Sequence, residues 1–344
     1  MTSPAGLRTA VIGLGRMGLR HVQAVKNLGM TVCGASDLSG PAIEAARSAH
    51  DIPPSAFFTD AQEMLRKMRP EAVVVATTAS SHKEFVLAAV ENGARFILCE
   101  KPMATSLADA DAMIDACHCA GVMLGVNHQM QFMPHYMRMH ALVRAEELGP
   151  LASILVAGSN FGLAMNASHY FEMFRYVSGE TIRSVNAWFE PGQLANPRGA
   201  QFEDRSGRLL VRGAAKASMF IDFSADAGHG LQIVCICRHG QLVVDELSGD
   251  IRVVARKSEF RDLPTTRYGM PADIRHETAD PAETVLSTMA VWSAMLSGKP
   301  FPDGAVGAHA LACCAAAHVS HGEQGREVRL DDPALPRDRQ FKWA

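Results

Sequence analysis

The chain has 344 residues, 48% hydrophobic and 20% charged, a globular composition with room for two domains. Its 33 basic and 36 acidic residues give a net charge of −3 with no long basic run, so no nucleic-acid partner is expected. No uncharged apolar run reaches the length of a membrane span, and Met1 to Arg8 lack a basic-then-apolar leader, so a cytoplasmic location away from membranes is expected.

The first third alternates strand and helix. An apolar strand, Thr9 to Ile12, runs into Gly13-Leu14-Gly15-Arg16-Met17-Gly18, and a helix over 16–28 follows, stopped by Gly29. A strand over 31–36 leads to Asp37. Helices are expected over 41–49 and 60–67, then a fully buried strand over 71–77, a helix over 81–91 and another buried strand over 95–99. A helix over 106–120 opens on Ser106 with Asp109 three residues later, as in a capping box, and a strand over 122–126 ends the series. Such a βαβ series builds a doubly wound parallel sheet, an α/β fold of the Rossmann kind.

After Asn127 the character changes. A helix over 134–147, a strand over 151–159 and a helix over 169–177 precede a run that reads as antiparallel strands. Strands over 230–238, 240–245 and 250–256 are joined by the turn signals His239-Gly240 and Ser248-Gly249-Asp250. The segment 262–280, with Pro264, Gly269 and Pro271, reads as loosely ordered. Helices over 281–297 and 304–321 follow. The eight cysteines stand alone or as CxC and CC pairs inside apolar segments, which suits buried filler rather than a zinc framework, so no metal is expected.

The glycine turn carries the first functional signal. Gly13 permits a tight turn, Gly15 lets a pyrophosphate approach the backbone, and Gly18 lets the helix pack on the strand. The free N–H groups and dipole at the helix start attract phosphates. Arg16 and Met17 lie in the same turn, where Arg16 has a phosphate, the adenine or solvent to face. Asp37 stands where an acid accepts hydrogen bonds from the adenosine ribose, and Leu38 and Ser39 offer no arginine for a 2′-phosphate. NAD is the expected cofactor, with NADP possible.

A cofactor domain names no reaction. Glu100-Lys101-Pro102 follows the strand over 95–99, at the sheet edge where ligands bind, so Lys101 is either a cation at the nicotinamide end or a surface lysine. Together with the glycine turn, Thr77-Thr78 with His82, Val126-Asn127-His128-Gln129 and the 304–328 stretch, this motif resembles the glucose–fructose oxidoreductase/inositol dehydrogenase/rhizopine-catabolism (Gfo/Idh/MocA) family over roughly residues 7–330. The resemblance implies a nicotinamide-dependent dehydrogenase acting on CH–OH groups of a sugar, cyclic polyol or sugar derivative. It also implies cofactor binding by Thr77, Glu100 and His82 (whose other reading, at a helix start, is a cap), a Rossmann domain over 1–126, and an α+β domain over 127–344. The latter's open, mainly antiparallel sheet would shape the substrate pocket and mediate oligomers.

The family's second catalytic element is a histidine in an Asp-x-x-x-His pattern. Ser168-His169-Tyr170-Phe171-Glu172 matches it by spacing and aligns His169 with the catalytic histidine. Position 165 carries Met where many members carry Asp, Asn166 is the nearest polar residue, and Glu172 replaces the usual Asp three positions on. A histidine opening an aromatic-rich helix is also accounted for by packing. Asn127, His128, Asn166 and Glu172 are the substrate-binding candidates, and Gln131 stands where the family often has arginine. The expected mechanism is hydride transfer with His169 as base and Lys101 on the reacting oxygen. Two other readings stay open: a sugar-nucleotide dehydrogenase or reductase in surface-polysaccharide synthesis, or a catalytically silent NAD(P)-binding regulatory protein. Leu231, Ile233, Cys235 and Cys237 on one face of a strand, with Val234 and Ile236 on the other, need cover on both sides, so a homodimer or homotetramer is expected.

Overall fold

A computed structural model describes residues 2–158, 161–192, 194–228, 230–264 and 269–344. The elements in the first part are β1 (Arg8–Ile12), α1 (Arg16–Asn27), β2 (Thr31–Ser36), α2 (Gly40–Ala49), β3 (Phe57–Phe58), α3 (Ala61–Met68), β4 (Ala72–Val75), α4 (His82–Glu91), β5 (Phe96–Cys99), α5 (Leu107–Ala120) and β6 (Met123–Val126). Among the described residues they form a six-stranded parallel sheet in the order β3-β2-β1-β4-β5-β6. Every residue of β4 and β5 is buried, as strands covered by helices on both faces require. The strand order reverses between β1 and β4, and the crevice beyond their carboxyl ends is where such sheets bind ligands.

Caps explain where the helices begin. Asp60 accepts the N–H groups of Gln62 and Glu63 at the start of α3, and Ser106 accepts that of Asp109 at the start of α5. The expected capping box is half made. The Asp109 carboxylate turns instead to Lys83 at 2.6 Å and Gln340 at 2.9 Å.

The second part comprises α6 (Pro134–Leu142), β7 (Leu151–Ala157), α7 (Ser168–Ser178), β8 (Ile182–Phe189), β9 (Gly207–Gly213), β10 (Ser218–Phe223), β11 (Gln232–Cys237), β12 (Gly240–Asp245), β13 (Asp250–Arg256), β14 (Ala272–Thr278), α8 (Thr284–Ser297), α9 (Gly304–Gly322) and β15 (Val328–Arg329). Among the described residues these strands make a nine-stranded sheet, β14-β13-β12-β11-β7-β10-β9-β8-β15, antiparallel except where β10 runs parallel to β7. One face, with Ile154, Met219 and Ile233, is buried, while α6, α7 and α9 lie against strands of the sheet. On the other face Val234 and Ile236 are half-buried. Helix α8 returns to the first sheet, where Val291, Trp292 and Met295 join the core of Val11, Val74 and Leu98.

Two expectations are corrected. Residues 272–278 are not loose but pair along their whole length with β13. Their sequence alternates without an apolar face because β14 is an edge strand. Its side chains are held by Arg275 with Glu147 and Glu277, and by Arg138 with Glu277. The helix from Pro134 ends at Leu142 rather than Glu147, and turns carry the chain to Gly149. Ser159, the expected end of the strand over 151–159, lies outside the described residues.

Candidate functional site

The glycine turn has the geometry of a dinucleotide cradle. Gly13 sits at φ +91°, and a Cβ there would lie 2.7 Å from the backbone of Ala76. At Gly18 a Cβ would meet the Gly13 carbonyl oxygen at 1.9 Å, so the helix closes on the turn only through glycine. Gly15, the residue preceding α1, has open space on its side-chain direction, which leaves the helix N-terminus accessible to an anion. Asp37 pins this turn: one carboxylate oxygen accepts the Leu14 N–H at 2.7 Å and the other that of Ser39 at 2.8 Å. Each oxygen keeps a second lone pair for a hydroxyl. These features fit a dinucleotide. Arg16 is exposed and Met17 half-buried at the same helix start.

Across the crevice, β5 delivers Glu100 and Lys101. The Lys101–Pro102 peptide is cis. Glu100 is buried and accepts His21 Nε2–H at 2.7 Å and Asn127 Nδ2–H at 2.8 Å. Burial alone would raise its carboxyl. The bond and charge of His21, the charge of Lys101 and the Asn127 bond outweigh burial and hold the group at about 2. Glu100 is therefore a buried anion beside Lys101. Burial pushes Lys101 down to about 8, against the attraction of Glu100 and Asp204 and with the repulsion of Arg198 and Arg16. Its ammonium donates to the Met165 carbonyl oxygen, in the π-turn at 163–167 that leads into α7.

Helix α7 brings His169 to the same place. His169 and His128 meet edge to face, ring centres 5.4 Å apart. Burial, then the charges of Lys101 and His128, hold His169 well below its ordinary range. Burial, then Lys101, lowers His128 to about 3. Both rings are neutral at physiological pH, and each has a buried Nδ1 without a hydrogen-bond partner among the described residues. A neutral imidazole beside an ammonium can take a proton from a hydroxyl whose oxygen the ammonium holds.

The other expected residues are placed less directly. His82 is buried, with Nε2 at 3.1 Å from the Thr77 carbonyl and Nδ1 at 3.1 Å from that of Pro102, so it ties the end of β4 to the Lys101 turn. Thr77 is half-buried and accepts a bond from Ser81. Glu172 is buried and doubly bonded to Arg175 at 2.7 Å. Asn166 is exposed and lines a cavity of about 250 Å³ with Phe161, Met165, Asn196, Pro197 and Asp204. Gln131 keeps a buried, unpartnered Nε2 among the described residues. His21 and Asp204 escaped sequence reading. His21 lies inside a helix whose spacing signals only packing, and Asp204 lies in a stretch with no periodicity. All eight cysteines are free thiols, Cys119 exposed and the rest buried. Among the described residues no three His, Cys, Asp or Glu side chains are grouped to hold a metal.

The strand order and the pinned glycine turn define the class, a dinucleotide-binding α/β protein. Comparison with known proteins narrows it. The model of the Gfo/Idh/MocA oxidoreductase family, NAD-binding Rossmann fold, matches residues 7–128. Inositol 2-dehydrogenase 2 of Paenarthrobacter aurescens is 32% identical over 313 residues, 86% of this chain and 89% of that protein. The chain belongs to this family. Myo-inositol 2-dehydrogenase of Thermotoga maritima is 28% identical over 197 residues, 53% of this chain, and the match covers only 58% of that protein. An oxidoreductase from Agrobacterium radiobacter, solved with NAD+, L-tartaric acid and magnesium, superposes with a TM-score of 0.79 over 95% of this chain and 99% of that one. At 19% identity that likeness is one of fold.

Proposed function

We propose that the protein is an NAD-dependent dehydrogenase that moves hydride between a secondary alcohol of a sugar, cyclic polyol or sugar derivative and the nicotinamide. The observation that carries this reading is that Lys101, at the carboxyl end of β5, donates to the Met165 carbonyl four residues before His169, close enough for its charge to act on the His169 ring, which packs on His128. The kinship with inositol 2-dehydrogenases supports the substrate class.

Gly13, Gly15, Arg16, Met17 and Gly18 would hold the pyrophosphate, Asp37 the adenosine ribose, and Thr77 the nicotinamide half, with His82 and Glu100 supporting that edge. A carboxylate at position 37 repels the extra phosphate of NADP, so NAD is preferred. Bound nicotinamide supplies the hydride acceptor. Lys101 tethers and polarises the substrate oxygen, and neutral His169 takes its proton. Asn127, His128, Asn166 and Glu172 line or support the substrate side. Residues 1–126 act as the cofactor domain, and 127–344 shape the substrate pocket and the contact between subunits of a cytoplasmic homo-oligomer. The cavity beside Met165 presents the amides of Asn166 and Asn196, groups suited to hydroxyls of a polyol or sugar.

The test is a spectrophotometric screen of cyclic polyols and sugars with NAD+, followed by variants. Lys101→Ala and His169→Ala should each lower turnover about a hundredfold or more while leaving NAD affinity nearly unchanged. Near-normal turnover in either variant removes that residue from the mechanism.

A further inference from the structure

An acid from a distant part of the chain holds the backbone to which Lys101 is bound. Position 165 carries methionine, and its backbone carbonyl accepts the Lys101 ammonium. Asp204, 39 residues further on, holds that backbone. One of its carboxylate oxygens accepts the N–H of Ala164 at 3.0 Å and of Arg205 at 2.9 Å; the other accepts that of Met165 at 3.0 Å. Asp204 as a residue is only 4% exposed. Gly162 is cleared to admit it: a Cβ there would lie 1.8 Å from Oδ2 and 2.3 Å from Cγ. Gly162 has φ −81°, so its backbone conformation asks for no glycine, and the carboxylate is what excludes a side chain.

A helix or turn cap needs only a neutral oxygen. Here a carboxyl group is buried against the residue whose carbonyl accepts the lysine; burial pushes its titration up, and its backbone N–H bonds and the Lys101 charge act against that. An ammonium has three N–H donors. With one bound to Met165, two remain for a substrate oxygen.

We propose that Asp204 is the positioning residue for Lys101: it clamps the Met165 backbone to which the ammonium is tethered, and its charge favours a cation at that point. This rests on the reading of Lys101 as the group that holds the reacting oxygen. The charged and titratable groups around Lys101 are Glu100 on its own strand end, Arg16 from the glycine turn, Arg198 and Asp204 from the loop between β8 and β9, His128 after β6, His169 on α7, and the Cys314 thiol on α9, which burial keeps protonated. Asp204 and Glu100 attract the ammonium and the two arginines repel it.

Asp204→Asn removes the charge and turns an amide N–H₂ toward a backbone donor. The readout needs no substrate. The protein is labelled with lysine carrying ¹³C at Cε, and the Lys101 Cε resonance, assigned by its loss in Lys101→Met, is followed by NMR against pH. In Asp204→Asn the Lys101 midpoint should fall by about half a pH unit or more. NAD binding should stay within about twofold, and kcat should drop about tenfold or more. Should that variant not fold, Asp204→Ser, which keeps one acceptor for the turn, carries the same expectation. An unchanged midpoint in the folded variant overturns the positioning role whatever the activity. A shifted midpoint, in a protein whose Lys101→Ala variant still turns over normally, leaves the positioning role standing and removes Lys101 from the proposed reaction.

Discussion

Lys101 and His169 lose their protons on opposite sides of neutrality, and the proposed reaction needs the form each holds in between. His169 must be neutral to accept a proton, so activity rises as pH climbs through its titration. Burial, Lys101 and His128 place that titration well below the ordinary 6.5. Lys101 must be charged, and with its ammonium held at about 8, activity falls as pH rises through that value. The expected kcat/KM profile for alcohol oxidation is a bell with an acid limb well below 6.5 and a basic limb near 8. Lys101→Arg should be slower but should lose the basic limb, because guanidinium stays charged. A basic limb unchanged in Lys101→Arg would assign it to another group. The residues of this pair were legible because they stand in motifs of fixed spacing. Their partners were not. His21 reaches Glu100 across 79 positions and Asp204 reaches Met165 across 39, contacts that exist only once the sheets are assembled.

At the scale of elements, the glycine turn separates folding from binding. A methyl group at Gly18 would collide with the Gly13 carbonyl oxygen, so Gly18→Ala must lever α1 off β1. It should cost about 1–3 kcal/mol of stability and weaken NAD binding as well. A methyl group at Gly15 meets nothing within 4 Å. Gly15→Ala should therefore keep the melting temperature and still weaken NAD binding, about tenfold or more, because the methyl group stands where a pyrophosphate approaches. Fluorescence titration and thermal melts on both variants check this, and equal loss of stability in the two would refute it. The parallel strands and their helices were readable from sequence because apolar runs, glycine stops and caps all agreed. The strand Ala272–Thr278 was not, because an edge strand with polar side chains on both faces carries no hydrophobic period and is defined by its pairing with β13.

At the scale of the whole molecule, the nine-stranded sheet has one face buried and one face open. Cross-strand pairing on the open face aligns Val243 with Val234, Val234 with Leu155, Leu155 with Phe220 and Phe220 with Leu210. This is an apolar row across five strands, with Leu155 38% exposed and the others half-buried. A row of that kind is costly to leave in water and is self-complementary about a two-fold axis, because each strand can cross its own copy. A second copy of the chain is the cover we expect, in a dimer or a pair of dimers. Leu155→Arg sets a charge at the middle of the row, where the flanking strands keep their backbone bonds and the buried face is untouched. It should shift the protein to monomers in light scattering at micromolar concentration without changing its far-UV spectrum. A wild type that is already monomeric at that concentration, or a Leu155→Arg variant that stays oligomeric, would move the contact off this face.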